Sequence, residues 1–137
     1  MTPAKPLAAL VSALTLMLPL QSEARVAHVK PATIEGTWVL TSETRNGQAE
    51  TPTPGRDWLV IARSGSTWAV SGAMTDEPGL KVRVADAHNS GISIVFAYAG
   101  GRNTTLACRL SDGQLRCAED TTGSERATGE VVFRRRI

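Results

Sequence analysis

Cys108 and Cys117 are the only two cysteines of the chain, and their spacing dictates how they react. They bracket Arg-Leu-Ser-Asp-Gly-Gln-Leu-Arg, with Asp112-Gly113 at the centre. That dipeptide is a strong two-residue hairpin signal, because a type I′ turn needs positive φ at both central positions and Asp and Gly tolerate it. Centring the turn there pairs Ser111 with Gln114, Leu110 with Leu115, Arg109 with Arg116 and Cys108 with Cys117. Counted outward from the turn, the cysteines form a non-hydrogen-bonded pair, the kind whose side chains lie closest. The spacing therefore predicts a structural disulfide. A redox pair or metal site would want closer thiols or added histidines.

The other polar residues assemble no catalytic constellation. His88 is the only histidine outside the N-terminal segment, and it sits in Asp86-Ala-His-Asn-Ser90, whose composition is that of a turn between strands. Asp86, His88 and Ser90 could be drawn as metal ligands or an acid–base set, but a polar loop accounts for them. Asp76-Glu77 and Glu119-Asp120 read in the same way, as solvated loop acids. The chain has no Gly-x-Ser-x-Gly elbow and no phosphate-cradling glycine loop. We expect no enzyme, no metal and no cofactor.

The N-terminus sets the compartment in which this chemistry operates. Lys5 precedes an apolar, uncharged run from Leu7 to Leu20, and Ser22-Glu-Ala24 supplies small residues at the spacing a signal peptidase requires. Residues 1–24 are expected to be a signal peptide cut before Arg25, since the apolar run falls short of the roughly 20 residues needed to span a bilayer. No stable membrane insertion is expected. Residues 25–33 read as an N-terminal tail and 34–137 as one domain, placed in the periplasm of a bacterium or secreted from it. A formal net charge of +2 makes nucleic acid an unpromising partner.

The body of the chain is a run of short alternating segments separated by Gly, Asn, Asp and Pro, without helical period. Eight strands are predicted, near 36–43, 57–63, 67–73, 79–86, 91–98, 103–110, 115–119 and 129–136. Tight turns between most of them imply sequential antiparallel pairing. Centring the second hairpin on Ser64-Gly65 sets Leu59 against Val70 and Ile61 against Trp68. One greasy face then collects Ile34, Gly36, Trp38, Leu40, Leu59, Ile61, Trp68, Val70, Val82, Val84, Ile94 and Phe96, while Lys81, Arg83, Arg109 and Arg116 face water. Such a meander closes most naturally into a barrel, which removes its edges.

Ile34-Glu-Gly-Thr-Trp-Val-Leu40 resembles the Gly-x-Trp opening strand of lipocalin-like (calycin) barrels, carried by Gly36, Thr37 and Trp38. The resemblance implies that Trp38 plugs the closed end, that Gly36 lets the backbone pass closely, and that an Arg near the last strand packs across the indole. Arg135 is the candidate, because it shares a face with Phe133. Residues 44–56 look like the long loop that follows the first strand in such proteins. The fold expected is therefore all-β: an eight-stranded antiparallel up-and-down meander closed into a small lipocalin-like barrel.

Two functional surfaces follow from this fold. The inner face, with Trp38, Leu40, Leu59, Ile61, Trp68, Val70, Val82, Val84, Ile94 and Phe96, could line a pocket for a small apolar molecule or simply fill the core. On the outer face Trp58 and Val60, with Ala62 and Ala69, form an apolar patch for a protein partner, a second copy, or the tail through Val26 and Val29. We expect a non-enzymatic binding protein that holds a small apolar ligand, with a protein-binding module, such as an inhibitor of an envelope or secreted enzyme, as the alternative. An open cavity beside 44–56 would favour the ligand, and a filled barrel with exposed Trp58 the protein partner. Intact mass of the exported protein should match a chain that begins at Arg25, and retention of Leu7 to Leu20 would contradict the export reading.

Overall fold

The computed structural model describes residues 32–137, so the signal peptide expected over 1–24, its cleavage site and the tail as far as residue 31 lie outside the described residues. The remainder is all-β. Its strands are β1 (Gly36–Arg45), β2 (Gln48–Glu50), β3 (Trp58–Ser64), β4 (Thr67–Ser71), β5 (Lys81–His88), β6 (Gly91–Ala97), β7 (Arg102–Ser111), β8 (Gln114–Gly123) and β9 (Ala127–Arg135). All pairings are antiparallel, in the order β4-β3-β1-β9-β8-β7-β6-β5, with β2 attached to β1 alone. Setting β2 aside, eight strands follow one another up and down, and the first closes on the last. One seam is unsealed, because β4 and β5 approach each other without a hydrogen-bonded ladder. Among the described residues no helix is long and apolar enough to cross a membrane.

Period-two alternation puts one side of every strand into the core. Trp38, Leu59, Ile94, Leu115 and Phe133 are wholly buried, and Ile61 and Phe96 nearly so. Rows of cross-strand partners run round the barrel, as in Val84–Ile94–Leu106 and Leu115–Phe133–Leu40. Trp68 and Val70 on β4 and Val82 and Val84 on β5 face inward beside the seam and are only partly buried.

The β7–β8 hairpin turns at Asp112 and Gly113, whose φ values of 51° and 74° are the left-handed pair of a type I′ turn. Cys108 and Cys117 are Cα partners in this register and are disulfide-bonded, with Cα atoms 3.9 Å apart. The second hairpin departs from expectation. Its turn is Gly65-Ser66, not Ser64-Gly65, so Ile61 opposes Val70 and Arg63 opposes Trp68, while Leu59 pairs with Trp38. The cause is glycine's place in the loop. Gly65, at φ 62°, occupies the first central position, where a type II′ turn requires positive φ. Because the slip moves Trp68 and Val70 by two positions against β3, both keep their face.

Two boundaries also differ from the sequence reading. The 44–56 segment is not all loop: Asn46 and Gly47, at φ 50° and 81°, turn the chain into a short hairpin that pairs Arg45 with Gln48. β8 runs on to Gly123, so Glu119 and Asp120 lie within a strand and not in a loop. The long β7–β8 ladder satisfies their backbone groups, and period two then sends Glu119 inward and Asp120 outward.

Replacing both cysteines by serine should lower stability in urea by about 2–3 kcal/mol, the chain-entropy value for so short a loop, without changing the strand content seen by circular dichroism. A loss near zero would mean that the hairpin is equally ordered without its crosslink.

Candidate functional site

One end of the barrel is shut. The Trp38 indole is fully buried, and its Nε1–H donates to the Ile34 carbonyl at 2.8 Å. Above it lies the Arg135 guanidinium, with Cζ 4.3 Å from the ring centroid, a distance at which a cation is drawn to the face of the indole. Arg135 also donates to the carbonyls of Glu35 and Thr33, tying the incoming chain to the last strand. Gly36 permits this packing. It sits at φ 138°, and a Cβ there would stand 2.7 Å from Arg135 Nη1.

At the other end a β-bulge turns two charged side chains inward. Leu40 pairs with Phe133, but the next pair is Ser42 with Val132, so Thr41 is the extra residue in β1. An extra residue reverses which side chains face the core. Ser42 and Thr44, inward by simple alternation, are displaced, and Glu43 and Arg45 take their places. Across the ladder Arg45 pairs with Gly129, which pairs with Glu119. The Arg45 side chain reaches across to β8, with Nη2 3.4 Å from Glu119 Oε1 and 3.6 Å from Glu43 Oε1 of its own strand. Gly129 has no room for a larger residue, since a Cβ would fall 1.9 Å from the Thr44 carbonyl oxygen. Two residues farther along β8, buried Thr121 donates its hydroxyl to Glu119 Oε1 at 3.5 Å and meets the Thr104 hydroxyl at 2.9 Å.

Glu43, Arg45 and Glu119 border a cavity of about 320 Å³ at the open end. Leu40, Met74, Leu106 and Val131 give it an apolar floor. Glu43, Arg45, Glu50, Arg56, Asp57 and Glu119 ring it with charge. Glu119 retains only 6% of its side-chain exposure and Glu43 17%. Arg56 is taken up by Asp57 Oδ2 at 2.9 and 3.1 Å, and Arg45 Nε is buried without a partner. Burial above all, then the carboxylates of Glu119 and Glu50, raises the Glu43 pKa above the ordinary carboxylate value, against the opposing pull of Arg45.

Of the ten inner-face residues singled out from the sequence, Leu40 alone borders this cavity among the described residues. Trp38, Leu59, Ile61, Ile94 and Phe96 are packed into the core, and Trp68, Val70, Val82 and Val84 lie along the seam. Trp58 and Val60 are half-buried, not fully exposed. The Trp58 ring lies against Gly72, whose added Cβ would meet it at 3.0 Å, and Arg136 sits 5.5 Å above its centroid. Asp86 and His88 fall on β5, and His88 Nδ1 lies 3.2 Å from Ser90 Oγ within the turn. A larger trough of about 480 Å³ lies over Ser93, Ala107 and Ala118 on the outer face of the sheet, edged by Asp86, His88, Arg109, Arg116 and Glu130.

The charged residues of the mouth escape the sequence reading for separable reasons. Glu119 had a signal, because it continues the inward parity of Leu115 and Cys117 to the end of the strand predicted over 115–119. Glu43 and Arg45 had none, since the bulge that turns them inward leaves no mark in the local pattern. Together the shut end, the open end and the ladder describe a nearly closed antiparallel barrel compatible with a lipocalin-like fold. Comparison with protein-family models, with curated proteins and with solved structures finds no match to the chain.

The raised pKa of Glu43 makes a stability prediction with a definite sign. A carboxyl whose pKa is raised on folding favours the folded state when protonated, so its ionisation costs stability as pH rises from the ordinary carboxylate value through the raised one. Glu43→Gln should therefore raise the urea midpoint at pH 7 and lose that advantage below about pH 4, where the wild-type carboxyl is itself neutral. A midpoint lowered at pH 7 would show that ionised Glu43 is held favourably by Arg45.

Proposed function

We propose that this chain is a non-enzymatic binding protein of the lipocalin-like (calycin) type that holds a small molecule in the open end of its barrel. The observation that carries the reading is the asymmetry of the barrel. One end is stoppered by Trp38 and Arg135, while the other has a cavity with an apolar floor beside the 44–56 segment. At about 320 Å³ the cavity is at the small end of the range for ligand pockets. The half of the barrel behind it is filled by Trp38, Leu59, Leu115 and Phe133, so a ligand would sit at the mouth and not traverse the interior.

The calycin assignment draws on the Gly36-Thr-Trp38 strand and on Arg135 packed across the indole, beside the up-and-down barrel itself. A periplasmic or secreted location accords with the Cys108–Cys117 disulfide, since such bonds persist in oxidising compartments. The packing of Trp58 against Gly72 and under Arg136 reduces the outer apolar patch on which a protein partner would dock, which leaves the small ligand as the favoured reading.

Filling the cavity tests the proposal. Leu106 is inward and almost wholly buried in the cavity floor, and Leu106→Trp should occupy the space a ligand needs. In calorimetric titrations with eight-carbon alkyl probes, whichever probe binds the wild type should bind Leu106→Trp at least tenfold more weakly, with strand content and disulfide retained. Met74→Trp, on the short 3₁₀ turn at Ala73–Thr75, provides a second filling variant should Leu106→Trp fail to fold. Equal affinity for wild type and a folded filled variant, or no binding of any probe, would contradict a ligand site at this end.

A further inference from the structure

Resting on the binding role proposed above, we infer that the ligand of the open-end cavity is an organic cation, an amphipathic amine or guanidine. Its apolar body lies on Leu40, Leu106 and Val131, and its charged head stands between Glu119 and Glu43.

The first support is that Glu119 is buried but loosely held. With 6% of its side chain exposed, it has Arg45 at 3.4 Å and the Thr121 hydroxyl at 3.5 Å as its partners among the described residues. Charge-assisted hydrogen bonds to a carboxylate ordinarily close to about 2.7–2.9 Å. A carboxylate removed from water and left with long contacts retains much of its desolvation cost. Because it borders the cavity, a donor arriving there could complete its coordination.

The second support is that the mouth has too few cations for its acids. Arg45 is divided between Glu119 and Glu43, and the Glu43 contact is longer still at 3.6 Å. Arg56 is committed to its neighbour Asp57, and among the described residues Glu50 makes no ion pair. Glu43, Glu50, Asp57 and Glu119 thus face two guanidinium groups, and the surplus is negative. Burial is the first cause of the elevated Glu43 pKa, and the Glu119 and Glu50 carboxylates add to it.

An anionic ligand would meet the reverse situation. It would face the same four carboxylates, and Arg45 already directs Nη2 to Glu119 and Glu43. An inorganic cation would leave Leu40, Leu106 and Val131 without a role. An alkyl or aryl ammonium uses both halves of the cavity, and the acids of the mouth would also favour its approach at low ionic strength.

Octylammonium, 1-octanol and octanoate differ in head group and share their apolar body, so titrating all three by calorimetry separates charge from burial. Octylammonium should bind at least tenfold more tightly than 1-octanol, and octanoate more weakly than either. Glu43→Gln should remove most of that preference while leaving 1-octanol unchanged. If 1-octanol or octanoate binds as tightly as octylammonium and Leu106→Trp blocks it, the cation assignment fails and the binding role stands. If the preference persists unchanged in folded Glu43→Gln and Glu119→Gln, the placement of the charged head is overturned. If none of the three binds, both the cation assignment and the binding role fall.

Discussion

Pairing of the first long strand with the last converts a row of hairpins into a barrel, and the remaining features depend on it. β1 and β9 are held from Trp38–Arg135 to Arg45–Gly129, with β8 beyond. At one end the pairing brings a guanidinium over an indole and ties it to two carbonyls of the entering chain, so the barrel is shut by groups more than ninety residues apart in sequence. At the other end the same two strands accommodate one extra residue at Thr41, and the bulge rotates β1 so that Glu43 and Arg45 look inward. Stopper and mouth are two consequences of one pairing.

This geometry divides the interior by polarity. Near Trp38 the strands contribute Leu59, Ile61, Leu115 and Phe133, and burial of this apolar surface favours the fold at roughly 25 cal/mol per Å². Toward the open end the same rows of inward positions supply Thr104, Glu119 and Thr121 from β7 and β8 and Glu43 and Arg45 from β1. Hydrophobic replacements would fill that space at lower electrostatic cost, because partly desolvated ion pairs seldom repay what they lose from water. A cluster kept under those terms, with a raised Glu43 pKa and long contacts at Glu119, is suited to take up charge from outside.

Much of the fold was legible in the sequence, and the part that was not has a physical explanation. Period-two alternation identified the core faces of Trp38, Leu59, Ile94 and Phe96, and Asp112-Gly113 determined a register that set the cysteines opposite each other. Turn chemistry was readable where applied and costly where passed over. Asn46-Gly47 is the same kind of hairpin signal, yet its segment was assigned to a loop, and Gly65 was placed second in its turn when it stands first. The mouth was the least legible region. Glu119 was read with Asp120 as a loop acid although it continued the inward parity of Leu115 and Cys117 at the end of its predicted strand, and Glu43 and Arg45 depend on a bulge that arises from tertiary pairing and not from local pattern. The apolar residues, the natural candidates for a ligand site, mostly pack on one another, and the site candidate falls on charged side chains.

The central claim is that the open-end cavity, and not the outer trough or the seam, is where this protein meets its ligand. Two-dimensional amide NMR of the labelled protein during titration with octylammonium tests it most directly, since it maps the contact residue by residue. The account predicts perturbations concentrated at Leu40, Glu43, Arg45, Leu106 and Glu119, with Ala107, Ala118 and Arg109 unmoved. Shifts gathered on Ser93, Ala107 and Ala118, or along Trp68 and Val82 at the seam, would contradict it.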